Sequence, residues 1–240
     1  MNYKMNANHH SKVLVVVQCR FRSVRLPGKA LYPLGGVPLL VFLLRRLRSN
    51  LSSQEYQVVL ATSENPADDP IYFWGVSEAV SVVRGDEDDV LSRFHDCLTR
   101  YPAPYVVRVT ADNPLTCPVI LQAAVRHMQK EQLDYVISKG NPCGAGVDVF
   151  SARMLRYLNE HASQPEEREH INKYILDHVL GDFQVGEMPV DDRICFPQLR
   201  LTVDTSEDYQ TVSALIRKDD HEPWNLSLDE IVKRMDPSGV

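Results

Sequence analysis

The chain has 240 residues, of which 44% are hydrophobic, and its formal net charge at pH 7 is −6. This length and apolar content suffice for one domain with a full core, and the charged fraction of 24% argues against extensive disorder. No segment approaches the roughly 20 consecutive apolar residues of a membrane-spanning helix, so we expect no membrane insertion.

The charge is distributed unevenly along the chain. Nine Lys and Arg precede Glu55 with no acid among them, whereas the remainder holds 17 cations and 32 anions. A basic segment often indicates nucleic-acid binding, but most of this chain is acidic and aromatic residues do not alternate with the cations. A small polyanion such as a nucleoside triphosphate therefore suits the basic segment better than a nucleic acid.

The N-terminal segment and the cysteines indicate the cellular compartment. Residues 1–12 are polar and lack the apolar centre of a secretory signal, so we interpret them as a flexible extension before a single domain at residues 13–240. The five cysteines are odd in number and lack the spacing of metal ligands. This pattern favours reduced thiols and a cytoplasmic protein over a disulfide framework or a zinc site.

Apolar runs alternate with amphipathic segments from residue 13 onward. The runs predicted as strands are residues 13–17, 57–61, 80–83, 105–110 and 135–138. The segments predicted as helices are residues 39–47, a short helix from Asp69, residues 88–98 with Asp88 as the cap, and residues 118–130. Continuous apolar runs are typical of strands buried on both faces. The alternation predicts a doubly wound, mostly parallel sheet of the α/β class.

The pattern changes near residue 140. A short strand at residues 147–150 precedes two helices at residues 152–161 and 165–180, and the segment of about 140–197 is interpreted as a small inserted subdomain. A buried strand is predicted at residues 199–203, followed by a helix that Ser206 caps. The last predicted helix spans residues 227–235.

A cationic loop directly follows the first predicted strand. Its sequence, Arg20-Phe-Arg-Ser-Val-Arg-Leu-Pro-Gly-Lys29, holds four cations in ten residues. Ligands of open α/β sheets bind beyond the carboxyl ends of the strands, where Ser23, Gly28 and the cations could hold a triphosphate. A solvated basic loop explains the composition about as well.

Two aspartates follow predicted buried strands. Asp112 lies in Arg108-Val-Thr-Ala-Asp-Asn-Pro-Leu, and Asp204 ends Leu201-Thr-Val-Asp. Mg²⁺ prefers oxygen ligands and bridges phosphates, so both carboxylates are candidate ligands of one ion. Asp204 has the alternative role of a helix cap, because Thr205 and Ser206 follow it.

These motifs together resemble the cytidylyltransferases that activate sugar acids, such as the enzymes that make CMP-KDO and CMP-sialic acids. Residues 20–29 are similar to their Arg-x-x-Ser-x-Arg-Leu-Pro-Gly-Lys signature. Residues 84–93 and 108–115 resemble Arg-Gly-Ser-Glu-Asp-Asp-Val-Leu and Arg-Val-Thr-Ala-Asp-Cys-Pro-Leu of the spore-coat polysaccharide branch. Arg168-Glu-His170 and Thr202-Val-Asp204-Thr205 match in order, so the resemblance extends from residue 13 to about 216.

The resemblance implies a nucleotide-diphospho-sugar transferase fold, CTP as the donor, Mg²⁺ as the cofactor and a sugar-type acceptor such as a 2-keto sugar acid. The implied catalytic residues are Arg20, Arg25, Lys29 and Asp112, with Asp112 and Asp204 as the metal ligands. The residues assigned to the nucleotide are Arg20, Ser23, Arg25, Gly28, Lys29, Thr62, Arg84 and Arg108. The residues assigned to the acceptor are Asp148, Arg168 and His170. The inserted segment corresponds to the acceptor and dimerisation region, which predicts a homodimer.

The chain departs from the branch at several positions. Arg22 stands where the family has a small residue, and Val24 stands where it has Thr. The branch reads Gly-Leu-Asp-Val-Glu-Val-Phe where this chain has Gly146 for Asp and Asp148 for Glu. The second pair of departures concerns the acceptor more than the chemistry.

Two other classes of function remain open. A glycosyltransferase of the same general fold would use a nucleotide sugar, but it would normally carry an Asp-x-Asp metal motif, which Asp112-Asn-Pro lacks. A non-catalytic homologue would bind a nucleotide as a scaffold. Arg22 favours that reading, whereas the two candidate metal carboxylates oppose it.

Overall fold

The first apolar run forms a strand that pairs with another strand on each side. The structure is a computed structural model that describes residues 13–178 and 181–235. The extension predicted at residues 1–12 lies outside the described residues. The main sheet consists of β1 (Val13–Gln18), β2 (Tyr56–Ser63), β3 (Ser81–Gly85), β4 (Tyr105–Thr110), β5 (Tyr135–Lys139), β6 (Asp148–Ser151) and β7 (Val185–Pro189).

The strand order is β3-β2-β1-β4-β6-β5-β7. β1 pairs in parallel with β2 and β4, and β7 pairs in parallel with β5. β6 is antiparallel to both of its neighbours, β4 and β5. The mostly parallel α/β sheet that the sequence predicts is therefore confirmed.

Helices cover both faces of the sheet. They are α1 (Leu39–Asn50), α2 (Asp69–Ser77), α3 (Val90–Arg100), α4 (Pro118–Glu131), α5 (Ala152–His161), α6 (Pro165–Glu169), α7 (Lys173–Asp177), α8 (Ser206–Ala214) and α9 (Leu228–Met235). None of the helices within residues 13–178 and 181–235 is long and apolar enough to cross a bilayer.

The side chains of β1 alternate between two apolar cores. Val13, Val15 and Val17 pack in the core that contains α1, α4, α8 and α9, whereas Leu14 and Val16 pack with α3 and α5. A strand has a side-chain period of two, so a strand that is buried on both faces must be apolar at every position. The sandwich of helices around β1 therefore explains the unbroken apolar run.

Gly75 explains how α2 continues through Trp74-Gly75. A Cβ atom on Gly75 would lie 2.7 Å from Leu60 Cδ2 and 2.7 Å from Val82 Cγ2. The glycine therefore lets α2 approach β2 and the start of β3, and this close packing outweighs the low helix propensity of glycine.

The predicted strand at residues 199–203 is wrong. This segment is extended, but only an isolated bridge between Cys143 and Arg200 is formed. Leu201 N donates to Cys143 O at 2.7 Å, and Val203 N donates to Asp112 O at 2.8 Å. Because its successive backbone groups bond to two separate loops, no continuous ladder forms.

The helix predicted at residues 165–180 is also wrong, since the structure has the two short helices α6 and α7. The break between them lets Ile171 turn into the core, where it is fully buried. Residues 179–180 lie outside the described part of the chain.

The caps of two helices differ from the prediction by one residue. Asp89, rather than Asp88, caps α3 by accepting a hydrogen bond from Ser92 N at 2.8 Å. Thr205, rather than Ser206, caps α8 in a capping box with Asp208.

The segment predicted as an inserted subdomain, residues 140–197, contributes β6 and β7 to the main sheet. It also contributes α5, α6 and α7. Its separation as a subdomain stays a prediction.

Candidate active site

A cavity of about 880 Å³ lies beyond the carboxyl ends of β1 and β4. Its walls come from the cationic loop, the loop after β4, and the segments around residues 143, 169 and 200–204. The predicted site residues that line it are Arg20, Ser23, Arg25, Lys29, Arg108, Asp112, His170 and Asp204. Carboxyl ends of parallel strands share one edge of a sheet, and this is why the loops after β1 and β4 meet here.

The cationic loop is fixed at its start by a buried carboxylate. Phe21 N donates to Asp68 Oδ1 at 2.6 Å. Asp68 Oδ2 accepts hydrogen bonds from Ser63 N at 3.0 Å, Ser63 Oγ at 2.5 Å and Thr62 Oγ1 at 3.1 Å. Asp68 therefore ties the loop to the end of β2.

Gly28 closes the same loop. Gly28 N donates to Phe21 O at 3.1 Å, and Gly28 has a φ of +70°. A Cβ atom on Gly28 would lie 3.0 Å from the Phe21 ring. Gly28 thus makes the turn that brings Lys29 to the cavity, and it does not itself line the cavity.

Lys29 lies between the two candidate metal carboxylates. Its Nζ atom is 3.0 Å from Asp112 Oδ2, 3.0 Å from Asp204 Oδ1 and 2.8 Å from the carbonyl oxygen of Val203. The side chains of Lys29 and Asp204 are 14% and 16% exposed. Three oxygens from two separate segments therefore converge on one positive charge.

Asp204 is surrounded by cations on both of its oxygens. Arg25 Nη2 lies 3.0 Å from Asp204 Oδ1, and Arg200 Nη2 donates to Asp204 Oδ2 at 2.8 Å. Burial alone would raise the pKa of Asp204, but the hydrogen bond from Lys29 and the nearby positive charges hold this pKa below its ordinary value. Asp204 is thus kept ionised, as a metal ligand must be.

Arg200 and Asp208 hold Asp204 in place through hydrogen bonds. Arg200 Nε donates to Asp208 Oδ1 at 2.8 Å, and Asp208 Oδ2 accepts from the backbone nitrogens of Asp204 and Thr205 at 2.9 and 3.0 Å. The hydrogen bond from Arg200 is the largest cause that holds the pKa of Asp208 well below its usual range. Arg200 was not among the predicted site residues, although it precedes Asp204 by four residues in an extended segment, a spacing that places both side chains on one side.

Arg20 contacts acids across the cavity. Its Nη2 atom donates to Glu169 Oε1 at 2.5 Å, and Nη1 lies 3.7 Å from Asp88 Oδ1. Arg93, a second residue that the sequence analysis missed, lines the cavity with a nearly buried side chain. Its Nε is one of the buried polar atoms that lack a hydrogen-bond partner within the described residues. Arg93 is the fourth residue of α3, and nothing in the local sequence indicates that its side chain lines a cavity.

Arg108 marks the boundary of a smaller adjoining pocket of about 200 Å³. Arg108 Nη1 donates to Asp148 Oδ2 at 3.1 Å, and Tyr135 Oη donates to Asp148 Oδ1 at 2.8 Å. Gly146 lines the same pocket, and a Cβ atom there would overlap Ser138 Oγ. The two departures from the branch motif, Gly146 and Asp148, therefore share one pocket.

Besides Gly28, three predicted site residues lie outside both cavities. The Thr62 hydroxyl is buried against Asp68. Arg84 donates to the carbonyl of Ser63 at 2.7 Å and to Asp69 Oδ1 at 2.7 Å. Arg168 donates to Asp89 Oδ2 at 2.6 Å and to carbonyls at the end of α5. In this arrangement all three hold neighbouring segments together rather than facing a ligand.

Among residues 13–178 and 181–235, no group of three or more His, Cys, Asp or Glu side chains is placed to hold a metal ion by itself. Mg²⁺, however, is commonly bound by one or two carboxylates together with substrate phosphates. Asp112 and Asp204 converge on one cation, the Lys29 ammonium, which shows that their oxygens already form a cation position. The residues present therefore fit a divalent cation that would be bound by these two carboxylates together with oxygens of a triphosphate.

Gly144 sets the distance between two walls of the cavity, and Gly144→Ala should lower the free energy of unfolding by about 3 kcal/mol. Gly144 has a φ of +92°, and a Cβ atom there would lie 2.6 Å from the backbone nitrogen of Thr202. The matched control is Gly36→Ala, since Gly36 has a φ of +84° with nothing within 4 Å of the added atom. Chemical denaturation of both variants measures the clash separately from the backbone strain, and equal losses would contradict the prediction.

A family model described as cytidylyltransferase matches residues 14–233. The spore coat polysaccharide biosynthesis protein SpsF of Bacillus subtilis (strain 168) is 33% identical over 224 residues, which cover 92% of each chain. A solved cytidylyltransferase structure from Leptospira borgpetersenii serovar Hardjo-bovis is 30% identical, with a TM-score of 0.85 over 95% of this chain and 96% of that chain. The 3-deoxy-manno-octulosonate cytidylyltransferase of Rhizobium etli (strain CIAT 652) is 28% identical over 134 residues, 54% of this chain and 51% of that protein.

Proposed function

This chain belongs to the cytidylyltransferase family, and we propose that it transfers CMP from CTP to a hydroxyl group of a sugar-type acceptor with release of pyrophosphate. The observation that carries the proposal is the convergence of Arg25 and Lys29 with Asp112 and Asp204 in one cavity. Phosphoryl transfer requires positioning and charge stabilisation of this kind more than covalent work by the protein.

In this proposal the acceptor hydroxyl attacks the α-phosphorus of CTP in line with the leaving pyrophosphate. The oxygen–phosphorus bond to the acceptor forms as the bond between the α-phosphorus and the oxygen that bridges to the β-phosphate breaks, and the hydroxyl proton passes to solvent water. Arg25 and Lys29 bind the β- and γ-phosphates and stabilise the charge that develops on the leaving group. Arg20 would join them when the triphosphate competes with Glu169 for its guanidinium.

Asp112 and Asp204 would hold Mg²⁺. The ion would neutralise charge on the phosphates and lower the pKa of the attacking hydroxyl, so that no strong separate base is required. Arg200 keeps the Asp204 carboxylate oriented toward the cavity through its second contact with Asp208.

For the acceptor we propose a 2-keto sugar acid, or a related hydroxylated acid of surface polysaccharide synthesis. The names of the Rhizobium and Bacillus relatives support this class. His170 lines the main cavity and Asp148 lines the adjoining pocket, which supports the proposal that both contact the acceptor. We place the reaction in the cytoplasm, in agreement with five free cysteines.

The test is pyrophosphate release from CTP, UTP, ATP and GTP with a panel of keto-sugar acids and phosphonates. We expect release with CTP and at least one acceptor, and much slower release from the Asp112→Asn variant. A nucleotide sugar as the consumed donor would indicate a glycosyltransferase instead. The absence of release with every acceptor, despite tight CTP binding, would favour a non-catalytic scaffold.

CTP with Mg²⁺ should stabilise the fold by about 2.7 kcal/mol at a ligand concentration of about 100 times the dissociation constant. The reason is that the triphosphate neutralises the cations of the loop and binds the folded state only. Thermal melts with CTP, UTP, ATP and GTP measure the shift. An equal shift with all four nucleotides would contradict cytosine selectivity, and no shift with CTP would contradict the donor assignment.

We also propose a homodimer that forms partly through residues 140–197. Leu176 on α7 is 70% exposed and Val185 on the edge strand β7 is 49% exposed, and closed two-fold dimers are the commonest soluble oligomers. Light scattering at micromolar concentration should show a dimer, and Leu176→Asp should shift it toward monomer. A monomer for the unmodified protein would contradict the proposal.

A further inference from the structure

All three N–H donors of the Lys29 ammonium have oxygen partners between the two candidate metal carboxylates. A lysine ammonium has three N–H donors and no acceptor. The three oxygens within 3.0 Å of Nζ belong to Asp112, Val203 and Asp204. The position of Nζ is therefore the position at which a metal ion would contact both carboxylates.

A metal ion and the Lys29 ammonium cannot occupy this position together. A divalent cation binds carboxylate oxygens at about 2.0–2.6 Å, depending on the ion, and would lie within a few ångströms of Nζ. Two positive charges at that separation in a partly buried site repel strongly. Asp204 offers no free oxygen as an alternative, because Arg25 also contacts Oδ1 and Arg200 contacts Oδ2.

A triphosphate would give Lys29 another partner in the same cavity. Lysine has a flexible four-carbon stem, so its ammonium can move between partners while the backbone stays in place. The neighbouring Arg25 is 63% exposed and free to follow the phosphates. Transfer of Lys29, and of Arg25 with it, from the carboxylates to the phosphates would open the metal position at Asp112 and at Oδ1 of Asp204.

We propose that Lys29 is a placeholder cation, which keeps divalent metal out of the Asp112–Asp204 position until a nucleotide draws its ammonium away. Metal and nucleotide then bind cooperatively, and metal alone binds weakly. Because coupling between two ligands is reciprocal, the metal raises the affinity for the nucleotide by the same factor. This proposal rests on the proposed function for the identity of the nucleotide, but its central claim concerns the carboxylates and Lys29 alone.

The test measures Mn²⁺ binding by electron paramagnetic resonance, without nucleotide and with a non-hydrolysable CTP analogue. Lys29→Met removes the charge and keeps the length of the side chain. We expect this variant to bind Mn²⁺ alone at least about tenfold more tightly than the unmodified protein, a factor within the usual range of coupling between sites. We also expect the analogue to increase the Mn²⁺ affinity of the unmodified protein by a similar factor and that of the variant by much less.

The matched control is Lys173→Met, since Lys173 Nζ also pairs with a carboxylate, Asp177 Oδ2 at 2.9 Å, but lies outside the cavity. It should leave Mn²⁺ affinity unchanged. Adding Asp112→Asn to Lys29→Met should remove the gain, which assigns the ion to this position. If Lys29→Met does not fold, Lys29→Gln serves the same purpose.

Equal Mn²⁺ affinities of the folded Lys29 variant and the unmodified protein would overturn the proposal. So would tight binding of Mn²⁺ by the unmodified protein without nucleotide. A gain in the variant together with no binding of the CTP analogue would leave the placeholder role standing and overturn the donor assignment instead.

Discussion

Replacing Asp112 or Asp204 by Asn should cut the turnover of CTP by roughly a thousandfold, while the fold stays intact. Both carboxylates contact the same cation position, and asparagine keeps their shape but removes the negative charge that would hold a metal there. Turnover is measured as pyrophosphate release across a Mg²⁺ titration. Near-normal activity in either variant would contradict a two-carboxylate metal site.

The double variant distinguishes a shared ion from two independent roles. Residues that act as one unit lose their function together, so Asp112→Asn with Asp204→Asn should be little worse than either single change. A product of the two single losses would show that the carboxylates act separately. The matched control is Asp220→Asn, because Asp220 pairs with Arg234 outside the cavity, and it should retain turnover.

The structure also weakens the alternative role of Asp204 as a helix cap. The cap of α8 is Thr205, whose Oγ1 accepts from Asp208 N at 3.2 Å. Asp204→Asn therefore leaves the capping box in place. Thermal melts without ligand should show a modest change, and unfolding of this variant would indicate a structural carboxylate instead.

The central strands could be predicted because their signal is local. β1 is buried on both faces, and an unbroken apolar run is what such a strand requires. β4 carries a weaker form of the same signal, since Val106, Val107 and Val109 are buried. The segment at residues 199–203 carries the same kind of signal, with Leu201 and Val203 buried. Whether a buried extended segment joins a sheet depends on its backbone partners, and the loops at Cys143 and Asp112 are too distant in sequence to be inferred.

The site could be predicted in part, for a related reason. Lys29 and Asp112 lie in the loops after β1 and β4, whose carboxyl ends share one edge of the sheet. Asp204 is brought beside them by the hydrogen bond from Val203 N to Asp112 O. The direction in which a side chain points at the end of a strand could not be predicted. Thr62 turns toward Asp68 because that buried carboxylate needs hydrogen-bond donors, and no local pattern announces this.

The sequence does not indicate that Asp68 is buried and anchors the cationic loop. Asp68→Ala should lower the free energy of unfolding by about 4 kcal/mol. Its side chain is nearly inaccessible to solvent, and it accepts four hydrogen bonds from Phe21, Thr62 and Ser63. Removal of the carboxylate would leave two backbone N–H groups without that partner. For a chain of this length the melting temperature should fall by about 10 °C.

The neighbouring Asp69 provides the matched control for Asp68. Its side chain is 47% exposed and pairs with Arg84 at the surface, so Asp69→Ala should cost no more than about 1 kcal/mol. A second measurement separates general instability from the anchoring of the cationic loop. At a temperature where both variants are folded, Asp68→Ala should bind CTP much more weakly than Asp69→Ala, because only Asp68 bonds to Phe21 N at the start of that loop. Equal melting temperatures would contradict the predicted loss of stability. Equal CTP affinities would show that Arg25 and Lys29 reach the cavity without this anchor.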